Sequence, residues 1–259
     1  MNENWKITKG DKPLIATAIH SGHKVRSEVE NIFAISPKSR FREEDPFTEI
    51  LTDISDNSII ISTSRFEFDL NRNREKAVYL QPKDAWNLKI YKKTPPPIIK
   101  ENSLKLYDAF YQNLRKYLDG QKIKFGKFVV FDIHSYNHQR KGENAAFDDP
   151  QKNPEIIVGT SNMKTSAWKK RITNRILNDF QHADFFGQKL DTRLNVKFTG
   201  GNFARWIHQN YPNSACVLSI EFKKIFMNEW SGKLNENIFA KLHQILQTVA
   251  NGTLQELEK

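Results

Sequence analysis

Histidine occurs in this chain at two places where it could bind a metal, His20 in Ala18-Ile19-His20-Ser21-Gly22-His23 and His134 in Phe131-Asp132-Ile133-His134-Ser135. Each follows an apolar run that reads as a buried strand, so each imidazole is expected at a strand's carboxyl edge. Neutral imidazole is the usual nitrogen ligand of zinc, and an open catalytic site needs a third protein ligand, commonly a carboxylate. Arg42-Glu43-Glu44-Asp45-Pro46-Phe47 supplies three acids, and His23, three residues after His20, competes with them. Pro46 is expected to begin a helix through Ile50 and Leu51, with these acids complementing its N-terminal dipole. Glu221, at the end of Cys216-Val217-Leu218-Ser219-Ile220, reads as a strand-end carboxylate. Buried away from cations it would have a raised pKa, which suits a general base; paired with Lys223 or Lys224 it would be an ordinary surface acid. Asn71-Arg72, closing Phe66-Glu67-Phe68-Asp69-Leu70, offers a guanidinium fork and an amide for a substrate carboxylate. Arg65 and Arg205 are further cations for an anionic substrate, although solvation explains either one equally well. Asp132, two residues before His134, is placed to orient an imidazole or to cap a turn.

These residues need a scaffold. Pro13–Ile19, Ser58–Ser62, Lys127–Asp132, Ile156–Gly159 and Ala215–Ile220 are short, apolar and β-branched, and read as strands buried on both faces. Between them, Leu104–Tyr117, Ser166–Phe180 and Glu236–Ala250 carry apolar residues at helical spacing. Gly200-Gly201 reads as a turn entering a helix that bears Arg205. Thr94-Pro95-Pro96-Pro97 reads as a stiff loop centre, and Lys141–Asn153 as a long exposed loop. Strands alternating with helices predict a single-domain α/β fold over residues 1–259, a sheet flanked by helices with its sites in loops at the strands' carboxyl ends.

The chain has 259 residues, enough to bury a core without a disulfide or metal staple. A single cysteine, Cys216, within an apolar run, favours a reducing compartment. The polar N-terminus carries no apolar leader, and no run reaches the roughly 18 apolar residues of a membrane span. A cytoplasmic protein without membrane partners is expected. The net charge of +10 raises the question of nucleic acid, but the basic clusters Lys92-Lys93, Lys169-Lys170-Arg171 and Lys223-Lys224 are short and separated. No nucleic-acid motif accompanies them, so no nucleic-acid partner is expected, and a basic rim instead suits a small anionic substrate.

Taken in order, Ile19-His20-Ser21-Gly22, Glu43-Glu44-Asp45-Pro46-Phe47, Ser64-Arg65 through Asp69-Leu70-Asn71-Arg72, Asp132-Ile133-His134-Ser135, Val158-Gly159-Thr160, Gly200-Gly201-Asn202-Phe203-Ala204-Arg205, Ser219-Ile220-Glu221 and Phe226-Met227-Asn228-Glu229 resemble the N-formylglutamate amidohydrolase family. The resemblance runs over roughly residues 14 to 230. It implies a mixed β-sheet of zinc carboxypeptidase-like architecture and amide hydrolysis of an N-formyl or N-acyl amino acid by a zinc-bound water. It further implies zinc on His20, Asp45 and His134, Glu221 as the catalytic acid–base, Asn71 and Arg72 as the carboxylate clamp, and Arg205 as a second substrate cation. The chain departs from the family's pattern at Ile19, where a proline is usual, and at Pro46, where a tryptophan follows the ligand aspartate. A metallocarboxypeptidase acting on peptides shares the same residues, and a non-enzymatic basic binding protein is the reading from another class.

Overall fold

The computed structural model describes residues 3–259. Seven strands form one sheet: β1 (Trp5–Thr8), β2 (Leu14–Ala18), β3 (Asn57–Ile61), β4 (Phe128–Tyr136), β5 (Ile156–Gly159), β6 (Thr192–Leu194) and β7 (Ala215–Lys223). Their order across it is β1-β3-β2-β4-β7-β5-β6. β3, β2, β4 and β7 run parallel, while β1 joins β3 and β5 joins β7 antiparallel. Among the described residues six α-helices flank it: α1 (Ser27–Glu30), α2 (Pro37–Glu43), α3 (Pro97–Phe125), α4 (Ala167–His182), α5 (Asn202–Asn210) and α6 (Glu236–Leu257). The fold is the expected α/β class with a mixed sheet. Among the described residues, no helix is long and apolar enough to cross a membrane.

Alternation along β4 explains the two-sided burial. Phe128 and Val130 pack with Phe110, Leu114 and Leu118 of α3 and with Phe203 and Ile207 of α5. Val129, Phe131 and Ile133 point the other way, into a core with Ile172, Ile176 and Phe180 of α4 and Leu242, Leu246 and Val249 of α6. Each such side chain, wholly buried, contributes about 1.5–3 kcal/mol. On the α3/α5 side the inward residues turn polar as the parallel strands approach their carboxyl ends. Thr17 pairs with Asp132, Asp132 with Ser219, and His134 with Glu221.

Chain order reverses between β2 and β4, since β3 follows β2 on one side and β4 lies on the other. Such a switch point leaves a crevice beyond the strand ends. His20 follows β2, and His134 lies on β4, so both imidazoles stand at its edge.

Several elements differ from expectation. β4 continues through His134 to Tyr136 and β7 through Glu221 to Lys223, so these two residues lie inside paired strands, not just past them. Pro46 begins no α-helix: the acids end α2, and a turn leads to a single 3-10 turn at Ile50–Ile54. The α-helix of this stretch is the preceding one, α2, which starts at Ser36-Pro37, where the Ser36 side chain accepts from the Ser39 N–H. Pro97 opens the 29-residue α3, because a proline at the first helical position forfeits no hydrogen bond.

Candidate active site and metal centre

His20, Asp45 and His134 converge, with one ligand atom from each within 4.8 Å of the others. His20 Nδ1 lies 3.5 Å and His134 Nδ1 3.0 Å from the same oxygen, Asp45 Oδ2. A tetrahedral ion with ligand bonds of about 2.0–2.2 Å separates its donors by roughly 3.4 Å. All three side chains are buried, and His20 Nδ1 has no hydrogen-bond partner. An orphaned buried nitrogen facing a carboxylate and a second imidazole fits a divalent cation, and two nitrogens with one oxygen is a donor set that zinc accepts.

The far nitrogens are held from behind. His20 Nε2 lies 2.7 Å from Asp69 Oδ1. His134 Nε2 lies 3.0 Å from Asp132 Oδ2, while Asp132 also accepts from Thr17 Oγ1 at 3.0 Å and Ser219 Oγ at 3.2 Å. The hydrogen bond to Asp69 favours the His20 proton on Nε2 and leaves its Nδ1 free to ligate, whereas Asp132 stands at ion-pair distance from His134 Nε2 without a hydrogen bond. Asp69 is itself gripped by Arg65 at 2.8 Å, by the Tyr79 hydroxyl and by the Asn71 N–H at 2.7 Å.

The electrostatics follow from burial and proximity. Burial raises the Asp69 pKa, but Arg65 and His20 outweigh it and hold it well below the usual carboxylate range. For Asp45, burial is likewise outweighed by hydrogen bonds from His134 and His20, so it stays ionised. His134 is pushed above the usual imidazole value: burial opposes its charge, but Asp132 and Glu221 favour it more strongly. Glu221, across the strand pair from His134, is pushed up to about 7, chiefly by burial, with His134 opposing and Asp45 and Asp132 adding to the rise. A site so rich in buried carboxylates attracts cations.

Beside the cluster opens a cleft of about 380 Å³ lined by His20, Asp45, His134 and Glu221. Arg65, Arg72, Arg140, Lys197, Arg205 and Lys224 also border it. Some of these are committed: Arg65 to Asp69, Arg140 to Glu43 at 3.1 Å, and Lys224 to main-chain carbonyls. Arg72 and Arg205 are exposed; the Arg72 Nε is 3.9 Å from Asp69, and Arg205 donates to the Gly200 carbonyl at 3.3 Å.

A model of the N-formylglutamate amidohydrolase family matches residues 12–227. The chain belongs to that family. It thereby joins a family of hydrolases that act on amide bonds. None of the curated proteins matches its sequence. Among solved structures it is similar to the N-formylglutamate amidohydrolase of Ralstonia eutropha JMP134, at 16% identity and TM-score 0.74, covering 98% of this chain and 97% of that one. A gene product of Agrobacterium tumefaciens is similar at 16% identity and TM-score 0.67, covering 100% and 97%. At that identity these two likenesses speak for the fold.

Within this amidohydrolase family fold, the other candidate ligands are drawn elsewhere. His23 pairs with Glu44 Oε2 at 2.6 Å, Glu44 also takes the Ser64 hydroxyl, and Glu43 binds Arg42 and Arg140. Asn71 lines the cleft, but its side-chain oxygen accepts from the Phe203 N–H at 3.1 Å, tying it to the start of α5. A β-carbon on Gly201 would lie 2.1 Å from that oxygen, so only glycine lets the helix approach. The sequence alone assigns Asp69 no role, although an aspartate between Phe68 and Leu70 in a buried run requires a partner. Trp86, at the cleft's rim with Arg65 and Arg140 over its ring at 4.9 and 5.5 Å, gave no comparable signal.

Proposed function

We propose that this chain hydrolyses the amide of an N-formyl or other N-acyl amino acid, with N-formylglutamate the first candidate, and that zinc held by His20, Asp45 and His134 is its cofactor. The observation that carries this reading is the buried convergence of two Nδ1 atoms on one aspartate oxygen, each ring backed by a second aspartate. A divalent ion there supplies Lewis acidity, polarising a carbonyl and acidifying water. Glu221 lines the same cleft, and its pKa near 7 suits a group that takes a proton from water and returns it to the departing nitrogen. Arg72 and Arg205 bind the substrate carboxylate, being the cleft's guanidinium groups with no carboxylate at hydrogen-bond distance, Arg72 pairing with Asp69 only at 3.9 Å, and Asn71 fixes the helix start beside them. Asp69 holds the His20 ring proton on Nε2, and Asp132 places a negative charge beside His134 Nε2. The buried thiol of Cys216 accords with a cytoplasmic setting.

The test is elemental analysis of the purified protein together with formate or acyl release from a panel of N-formyl and N-acyl amino acids, with and without chelator. Stoichiometric zinc and chelator-sensitive release support the reading. A chain that binds no metal, or that releases product equally after chelation, overturns it.

A further inference from the structure

Lys224 lies one residue beyond β7 and three beyond Glu221, and it is only 1% exposed. Its ammonium donates to the carbonyls of Arg42 at 2.6 Å and Glu44 at 2.8 Å. These carbonyls sit at the carboxyl end of α2, where a helix leaves its last acceptors unpaired and favours positive charge. Burying an ammonium is costly even with the carboxylates of Asp45, Glu43 and Glu229 near enough to offset part of it, and simple packing would not require it.

The position of those carbonyls is informative. The Glu44 carbonyl and the Asp45 N–H belong to one planar peptide unit. The carbonyl end accepts from Lys224, and the N–H end donates to the His20 carbonyl at 3.0 Å. Clamping both ends of a rigid plane sets the direction in which the Asp45 side chain leaves the backbone. The clamp also closes a circuit. His20 follows β2 and holds one end of the plane; Lys224 follows β7 and holds the other; β7 pairs Glu221 with His134 on β4. The three candidate ligands and the candidate base thus share one frame. Without Lys224, the segment between α2 and the turn at Pro46 would rest on the His20 contact alone at this plane.

We infer that Lys224 is a positioning residue for the metal centre, its buried ammonium fixing the peptide plane that aims Asp45 at the two imidazoles. The inference rests on reading His20, Asp45 and His134 as a metal site.

Zinc affinity, measured by competition with a chromophoric chelator on the metal-stripped full chain, tests it in wild type, Lys224→Met, Lys224→Gln and Leu246→Ala. Leu246 is a fully buried core residue of α6 and controls for general loss of stability. Lys224→Met is expected to weaken zinc binding about 10- to 100-fold, the usual range for residues that orient ligands. Lys224→Gln, which can still donate to one carbonyl, should fall between it and wild type, and it carries the test if the methionine variant does not fold. Leu246→Ala should melt at a lower temperature yet bind zinc within about twofold of wild type. Affinity within twofold of wild type in the foldable Lys224 variants overturns the inference alone. So does an equal loss in Leu246→Ala, which would make the effect one of stability. Wild-type protein that takes up no zinc overturns the metal reading and this inference with it.

Discussion

Replacing Asp69 with asparagine keeps the side chain's shape and removes its charge. The Oδ1 of Asp69 faces His20 Nε2 and the Asn71 N–H, and its Oδ2 accepts from Arg65 and Tyr79. An amide has one oxygen, so its NH2 must confront one of these two donor pairs. The Tyr79 hydroxyl can turn and accept; the Arg65 guanidinium, which has no acceptor, cannot. The best compromise keeps the amide oxygen toward His20 and leaves Arg65, with a side chain only 10% exposed, stripped of its counter-charge. Breaking a buried ion pair from one side costs about 3–5 kcal/mol. At roughly 2–4 °C per kcal/mol for a chain of this size, the metal-free protein should melt about 6–20 °C lower. The second effect is on the metal. His20 keeps an acceptor behind it, but a weaker, uncharged one, so zinc affinity should fall about 10- to 100-fold. Calorimetry of the stripped protein reads the first quantity, and chelator competition the second. A variant melting within about 3 °C of wild type with unchanged zinc affinity would refute the assignment of Asp69 as the group that anchors both Arg65 and His20.

Glu221→Gln should retain zinc while slowing product release about 10²- to 10⁴-fold; a variant keeping more than about a tenth of wild-type turnover would remove Glu221 from the proton transfer. Gly201→Ala forces a methyl group to 2.1 Å from the Asn71 side-chain oxygen, and should raise KM while costing about 1–3 kcal/mol of stability by overpacking. An unchanged KM would separate Asn71 from substrate binding. Arg72→Ala and Arg205→Ala should each raise KM more than they lower kcat, and a fall in kcat at constant KM would place their contribution in the chemical step. Far from the cleft, His208 Nε2 accepts from the Val217 N–H at 2.9 Å, and burial, helped by Lys169, lowers its pKa to about 4 from an ordinary 6.5. The unfolded chain therefore binds the extra proton between those values, and stability present above pH 6.5 is lost as pH falls toward 4, by about 3 kcal/mol in all. Urea denaturation across that window should show the loss in wild type and a flatter profile in His208→Gln; parallel profiles would exclude His208 as the titrating group.

How much of this was legible beforehand depended on whether a residue's role is local. The buried strands stood out because a parallel strand covered on both faces is apolar throughout. The helices stood out because α3, α4 and α6 each have one apolar face. Their boundaries failed where a local rule had a competitor. Pro46 and Pro97 are both compatible with a helix start, yet only Pro97 begins an α-helix. At the first, Asp45 donates its N–H to His20 and Phe47 takes a positive φ of 70°, so the chain turns instead. Sequence alone puts His134 and Glu221 at strand ends because the chain becomes polar there. In the fold the ladder continues to Tyr136 opposite Lys223, because main-chain pairing does not require the side chains to be apolar.

Of the candidate site, the grouping of His20, Asp45 and His134 was legible because residues able to hold a metal come from a short list of types. Their supports were not, since any carboxylate or ammonium can play that part and only distance selects it. Asp69 is 49 positions from His20, and Lys224 is 180 from Glu44, so no window along the chain joins either pair. The same argument separates Arg65 from Arg72. The two flank the same segment, Phe66–Leu70, but Arg65 is spent on Asp69 at 2.8 Å whereas Arg72 stands 3.9 Å away and stays open to the cleft. A guanidinium already neutralised by the group that orients His20 cannot also hold a substrate carboxylate without releasing it. On the proposed function, substrate capture would therefore fall to the cations that the scaffold leaves least matched, Arg72 and Arg205.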